Sequence, residues 1–358
     1  MQDQVTGQTH QERGTFRGWM TPILLSLFIV PLPGLGARAV PFLLVVWLLT
    51  DRRLRLHAGE MLLYSGLVVL GLVMAMFQQD KIGFMLGLLL AILITRLLEV
   101  IPRSWSLRPA LWLHCAAAGL SFATLLGLGY DLMPQILYGE SRHGIHVNAF
   151  LQFRISGLYL EPSTFGLHML LLSIWADHAH PGKRGVSMMF AGLALLTFSS
   201  ITILAAFKLI LDQRHLLRSK AGVFLLPLVV SGGGVVLVSF YLFFSDKLRL
   251  YQAQGLETSK RFEALFFTLE QIAVNDFNFL QGHDATTLQA FVVYDLGPVI
   301  STSLILGLPG FLLVVAFCAR MRFSLLNIAI IMATKASINN PLLWIGTRRF
   351  AVPHDGRD

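Results

Sequence analysis

Long apolar blocks recur along nearly the whole chain, and the short stretches between them are rich in Lys and Arg. A segment crossing the hydrocarbon of a bilayer as a helix needs about 20 apolar residues, each rising about 1.5 Å. Residues 60–77, 82–101, 109–129, 163–179, 221–244, 296–319 and 323–345 meet that requirement. Residues 20–50 and 186–212 are each too long for one crossing and short for two. This pattern predicts an all-α, polytopic membrane protein and leaves little room for any other class.

Composition agrees. Only 13% of the 358 residues are charged, against 55% hydrophobic, whereas a soluble domain carries about a quarter charged residues. With a mean hydropathy of +0.66, too little polar surface remains to cover a water-soluble fold. The net charge of +8 fits Lys and Arg retained on the cytoplasmic side better than it fits nucleic-acid binding. Cys115 and Cys318 both lie in apolar runs far apart in the chain, which favours packing over a disulfide or a metal site. The first apolar run contains Pro31 and Pro33 and is followed at once by a second from Pro41. It is expected to open a helical hairpin, although Ala37-Arg38-Ala39 imitates a leader cleavage site.

The basic stretches set the orientation. Arg13 and Arg17, Asp51–Arg55, Arg96–Arg108, Lys183-Arg184, Lys208–Lys220 and Arg320–Arg322 hold more than half of the 28 Lys and Arg. All of them face the cytoplasm only if residues 20–50 and 186–212 each cross twice. The turns then fall near Gly34–Gly36 and at Ser199-Ser200, between half-helices too short for a full crossing. Short helices of this kind line cavities or bury their ends in protein, so a depression is expected near Ser199-Ser200 on the outer side. Eleven crossings follow with the N-terminus inside. A break in the last helix at Lys335–Pro341 makes twelve and returns the C-terminus to the inside. The whole chain, 1–358, reads as one membrane domain with two long external loops, 131–162 and 245–295. Within the second, Phe262, Leu265, Phe266, Leu269 and Ile272 follow helical spacing and predict a helix on the membrane surface.

Two external constellations carry chemistry. In Arg154-Ile-Ser-Gly-Leu-Tyr-Leu-Glu161-Pro162-Ser163-Thr164-Phe165-Gly166 a loop enters a helix. Glu161 beside a helix N-terminus has a structural use through the helix dipole. Arg154 has no equally simple one, because it sits in an apolar stretch on the side that disfavours cations. Further on, Lys260-Arg261 heads the surface helix, and Gln281-Gly282-His283-Asp284 follows about twenty residues later. A solvated helical face accounts for such charges in general, but paired external cations run against the positive-inside trend. His143-Gly-Ile-His146 lacks further ligands at metal spacing. Asp177, His178 and His180 read as a solvated loop. Gly83 and Gly87 fit small-residue helix packing, and Gly232–Gly234 fit a kink or close contact.

The Arg154–Gly166 stretch resembles the motif of bacterial O-antigen and exopolysaccharide polymerases, relatives of the O-antigen ligases. Leu196-Thr-Phe-Ser-Ser-Ile-Thr-Ile-Leu204 is similar to their serine-bearing broken helix. Arg261 followed by Val274–Gly282 resembles the block in which an Arg precedes an Asn-Pro-x-x-Gly-x-Gly turn; here the proline is absent and His283 replaces a glycine. The resemblance covers about residues 150–345. It implies a multi-pass glycosyltransferase of the bacterial inner membrane, acting at the periplasmic face on undecaprenyl-diphosphate-linked glycan. It further implies membrane lipid and a chain-length regulator as partners, no nucleic acid, and neither cofactor nor metal. Arg154, Arg261 and Lys260 would bind the diphosphate, since the planar Arg fork matches phosphate and stays charged. Glu161 would be the general base or orient Arg154, with His283 as the other candidate base. A ligase acting on a lipid or protein acceptor shares these features. A transporter or flippase is the competing class, weakened by the long loops, the absence of internal repeats and the scarcity of charge within the helices.

Overall fold

The computed structural model describes residues 16–31, 39–50, 65, 69, 81–100, 105–139, 154–179, 184–197, 199–213, 241, 245, 282–283, 297–320, 324–332 and 337–347. Among them are helices and no β-strand: α1 (Phe16–Ser26), α2 (Ala39–Leu49), α3 (Ile82–Val100), α4 (Arg108–Leu128), α5 (Leu132–Tyr138), α6 (Pro162–Ala179), α7 (Arg184–Leu195), α8 (Ser200–Gln213), α9 (Pro298–Leu306), α10 (Leu308–Arg320), α11 (Leu325–Met332) and α12 (Pro341–Thr347). The chain is all-α, as its apolar periodicity requires. Among the described residues one helix, α4, is long and apolar enough to cross a membrane. Its ends obey local rules: a proline enters the first turn, and Gly129, at φ 77°, closes the last by donating its N–H to the Leu125 carbonyl.

α6 is the axis of the molecule. Every residue from Phe165 to Ala176 is buried, which requires neighbours on all sides. α7, α8 and α12 supply them, and Phe165 reaches His114 of α4. Gly346 of α12 lies against Leu171, and Gly87 of α3 against Asn339, so small residues set these close approaches. α1 packs on α2, α4 and α12, and α2 packs on α3.

Several helices carry large apolar side chains on their exposed faces as well as in the core. The buried face of α4 carries His114, Ser121 and Thr124, while Trp112, Leu120, Phe122 and Leu126 lie outside, Trp112 at 66% exposure. α8 buries Thr202 and Lys208 and exposes Ile203, Phe207, Ile210 and Leu211. α2 is apolar all round, with Phe42, Leu43, Val46 and Leu49 outward.

The expected helices over 82–101, 109–129 and 163–179 correspond to α3, α4 and α6, and the double passages of 20–50 and 186–212 to the pairs α1–α2 and α7–α8. Two expectations need correction. The single helix over 296–319 is broken at Gly307, where φ is 63°. α9 and α10 fold onto each other so tightly that a methyl group on Gly310 would collide with the Thr302 carbonyl oxygen. Apolar composition does not register such a break, because Gly307 and Gly310 interrupt no hydropathy. The last helix, over 323–345, is divided within the Lys335–Pro341 stretch where a break was anticipated, with a turn at 338–339 before α12.

The second correction concerns Asp177 and Lys208. Instead of a solvated loop they form an ion cluster in which Lys208 is buried and its carboxylate partners are partly exposed. The Lys208 ammonium bonds both Asp177 and Asp212 and donates to the Ser187 hydroxyl at 3.2 Å, which lies 3.0 Å from that of Ser173. Lys208 shares a helical face with Ile201 and Ala205, both buried, and this inward register carries its charge into the core. The cluster joins the ends of α6, α7 and α8 opposite to the 154–161 loop. Most of 60–77 and 221–244, all of 261–272, His143–His146 and Gly232–Gly234 lie outside the described residues.

Candidate functional site

The loop 154–161 is held from four directions at one end of the bundle. Arg154 donates from Nε to the Thr197 carbonyl at 3.3 Å, and the Ile155 N–H points to the Leu196 carbonyl at 3.5 Å. The Ser156 hydroxyl donates to Asp131 Oδ2 at 2.6 Å. The Tyr138 hydroxyl donates to the Leu158 carbonyl at 3.3 Å, and that of Tyr159 to the Ser26 carbonyl at 2.5 Å. Thus α1, the α4–α5 junction, α5 and the α7–α8 turn all converge on a segment of eight residues.

Two glycines make this convergence possible. Gly157 has φ +56°, the left-handed region that L side chains disfavour, and its Cα faces the Phe165 ring. Gly166 lets the α7–α8 turn touch α6: a Cβ there would stand 2.8 Å from Thr197 Oγ1 and 3.2 Å from its Cγ2. Both glycines belong to the Arg154–Gly166 stretch, so its spacing encodes the docking of this loop on α6 and of α6 on the next turn. The turn is tied internally as well. Ser199 Oγ accepts from the Ile201 N–H at 3.3 Å and caps α8, and lies 3.0 Å from Thr197 Oγ1. Thr197 and Ser199 are buried; the depression expected near Ser199-Ser200 is, at Ser199, packed and hydrogen-bonded.

Arg154 is partly buried. Burial pushes its guanidinium below its ordinary value, and the nearby charge of Glu161 pulls it back up. Glu161 opens α6, its carbonyl accepting from the N–H groups of Thr164 and Phe165 at 3.1 Å each; Ser163 Oγ donates to its carboxylate at 3.4 Å. Beside it, burial drives the Tyr138 phenol up to about 12, and Tyr159 well above its ordinary value, so both remain hydrogen-bond donors through the physiological range. An Arg guanidinium and an acceptor carboxylate therefore share one loop.

His283 is tied to α9. Its N–H donates to the Leu304 carbonyl at 2.8 Å, docking it on the last turn of α9. Gly282, with φ +73°, packs against the backbone of Ile305 and Gly307, which explains why glycine occupies that position. Lys260 and Arg261 lie outside the described residues. No group of three or more His, Cys, Asp or Glu positioned for a metal occurs among the described residues.

Sequence reasoning treated Asp131 only as the start of a polar loop. It is 1% exposed. It accepts the hydroxyls of both Ser121 and Ser156 and, through Oδ1, the Met133 N–H at 3.2 Å, capping α5. The available signal was Ser121 and Thr124 on the inward face of α4, followed by a carboxylate just past the Gly129 cap. A second buried tract was also missed. The Asn340 amide donates to His168 Nε2 at 2.7 Å, so the other ring nitrogen, Nδ1, carries the hydrogen given to the Thr164 carbonyl at 2.8 Å. Tyr159 lies between the rings of His168 and His114.

A scan against protein-family models returned no match for this chain, and searches of curated proteins and of solved structures returned none either.

Proposed function

We propose that this chain is a polytopic protein of the bacterial inner membrane that polymerises undecaprenyl-diphosphate-linked oligosaccharide repeat units at the periplasmic face, for O-antigen or exopolysaccharide synthesis. The membrane setting is supported by the exposed apolar faces of α2, α4 and α8. Exposed Leu, Ile, Phe and Trp on these helices are unfavourable in water and favourable in lipid. The observation that carries the chemical reading is the bond from Arg154 to the Thr197 carbonyl. It joins the two stretches, 154–166 and 196–204, whose resemblance to the polymerases was noted independently of their position in space.

In this reading the acceptor sugar hydroxyl attacks the anomeric carbon of the growing glycan, and the bond from that carbon to the lipid diphosphate breaks. Arg154 and Arg261, with Lys260 nearby in sequence, offset the charge developing on the departing diphosphate. Glu161 takes the hydroxyl proton or orients Arg154, and His283 is the other candidate for the proton. Orientation follows from the basic stretches, with the N-terminus cytoplasmic and the 154–161 loop outside.

The test is reconstitution of the purified chain with a lipid-diphosphate-linked repeat unit, followed by sizing of the product. Long polymer is expected from the wild type, none from Arg154→Ala or Arg261→Ala at unchanged protein level, and partial recovery from the Lys variants, which lose the fork geometry. Long polymer from both Ala variants would refute the site. Single additions without growth would point to a ligase, and movement of the lipid across liposomes without turnover to a transporter.

A further inference from the structure

We propose that Asp131 is a positioning residue for Arg154, acting through the hydroxyl of Ser156; the inference rests on the reading of Arg154 as a diphosphate-binding group.

Three observations lead there. Asp131 is a carboxylate buried almost completely, an expensive arrangement that persists only where its acceptor capacity is used. That capacity is divided between two jobs. Oδ1 caps α5, while Oδ2 receives Ser121 from α4 and Ser156 from the 154–161 loop. A helix cap alone needs one oxygen, and Asn serves about as well as Asp. The second oxygen is what requires a carboxylate: an amide at this position offers an NH2 group to one side, where two serine hydroxyls need an acceptor. The Oδ2 bridge connects the long helix α4 to the loop only two residues from Arg154.

The direction of action is also defined. Glu161 is a charge near the Arg154 guanidinium, whereas the hydrogen bonds that Asp131 accepts come from Ser121, Ser156 and the Met133 N–H, so its route to Arg154 runs through the loop at residue 156. On one side of residue 156 the Tyr159 N–H returns to the Ser156 carbonyl at 3.0 Å. On the other, Arg154 and Ile155 are bonded to the α7–α8 turn. Fixing the Ser156 side chain therefore fixes the point from which the guanidinium projects. Misplacement of a binding group by about 1 Å costs up to about 100-fold in an organised site.

The experiment measures binding of undecaprenyl diphosphate, which carries the shared leaving group and no sugar, to the full chain in phospholipid vesicles. Ser156→Ala and Asp131→Asn are compared in two backgrounds, wild type and Arg154→Lys, and each variant's melting temperature is recorded. Ser156→Ala is the mild variant, because Asp131 keeps Ser121 and its cap. The expected result is a loss of affinity of about 10-fold or more in the wild-type background and little further loss in the Arg154→Lys background, while any fall in melting temperature is the same in both. Equal losses of affinity in the two backgrounds, or none in either, would overturn the positioning role. If the wild type does not bind undecaprenyl diphosphate, or Arg154→Ala binds it unchanged, the diphosphate reading itself falls and the inference falls with it.

Discussion

The most informative single residue is Gly166. Its missing side chain is the space that Thr197 occupies, and Thr197 in turn presents the carbonyl that holds Arg154. Thr197 cannot turn aside cheaply: it is β-branched, and its hydroxyl already donates to the Ala194 carbonyl at 2.8 Å. Gly166→Ala should therefore destabilise the chain by about 1–3 kcal/mol, the usual cost of overpacking a tight contact, despite the better helix propensity of Ala. A melting curve in detergent checks this, and an unchanged midpoint would show that the turn does not depend on this approach. The same logic separates glycines that sequence alone lists as equals. Gly119, Gly127 and Gly192 face open space, whereas Gly157 and Gly166, both within one short stretch, are fixed by backbone conformation or by contact.

At the scale of elements, the exposed apolar face of α4 carries the claim about environment. Leu120 lies near the middle of this 21-residue helix and is exposed, roughly opposite the buried Ala118. If that face meets lipid, Leu120→Arg costs about 2.5–3.5 kcal/mol on the insertion scale, and the variant should be depleted from the membrane fraction. In water the same change would stay within about 0.5 kcal/mol, as exposed substitutions do. Normal accumulation of Leu120→Arg, together with release of the chain into the soluble fraction, would refute the membrane reading. The breaks at Gly307 and before Pro341 belong to this scale too. In each case one apolar run becomes two short helices, and the backbone groups freed at the break are met by protein: the Gly307 N–H by the Ser303 carbonyl, the Asn340 N–H by that of Ser337.

For the whole molecule, the polarity of the α6–α7–α8 unit is the main feature. One end holds Arg154, Glu161 and the Thr197 turn; the other holds Lys208, Asp177 and Asp212. α6 spans the two ends, its 18 residues rising about 27 Å, close to the thickness of a bilayer core. Leu196 and Gly185 are both exposed, near opposite ends of α7. In a chain with Cys115 and Cys318 replaced by Ala, a Cys at position 196 should react with a membrane-impermeant maleimide on spheroplasts. A Cys at 185 should react only after lysis. Labelling of both from the same side would exclude the proposed orientation. The Lys208 cluster bears on the charge inventory as well. Lys208 counts among the basic stretches that set topology, yet its ammonium is matched by the carboxylates of Asp177 and Asp212, so it adds no net positive charge at that end of the bundle.

The sequence by itself determined the helices over 82–101, 109–129 and 163–179 and the doubling of 186–212, because long apolar runs, prolines at first turns and basic stretches are local signals. It also marked Arg154 and Glu161, since a cation in an apolar external stretch is anomalous wherever the chain goes next. Only the tertiary structure decided that Arg154 leans on Thr197, that Asp131 anchors Ser156, that Lys208 turns inward between two carboxylates and that the 296–319 run folds at Gly307. Each of these depends on which residue distant in sequence stands opposite. A hydrogen bond across 43 positions, or a backbone oxygen waiting where a glycine must be, leaves no trace in local hydropathy.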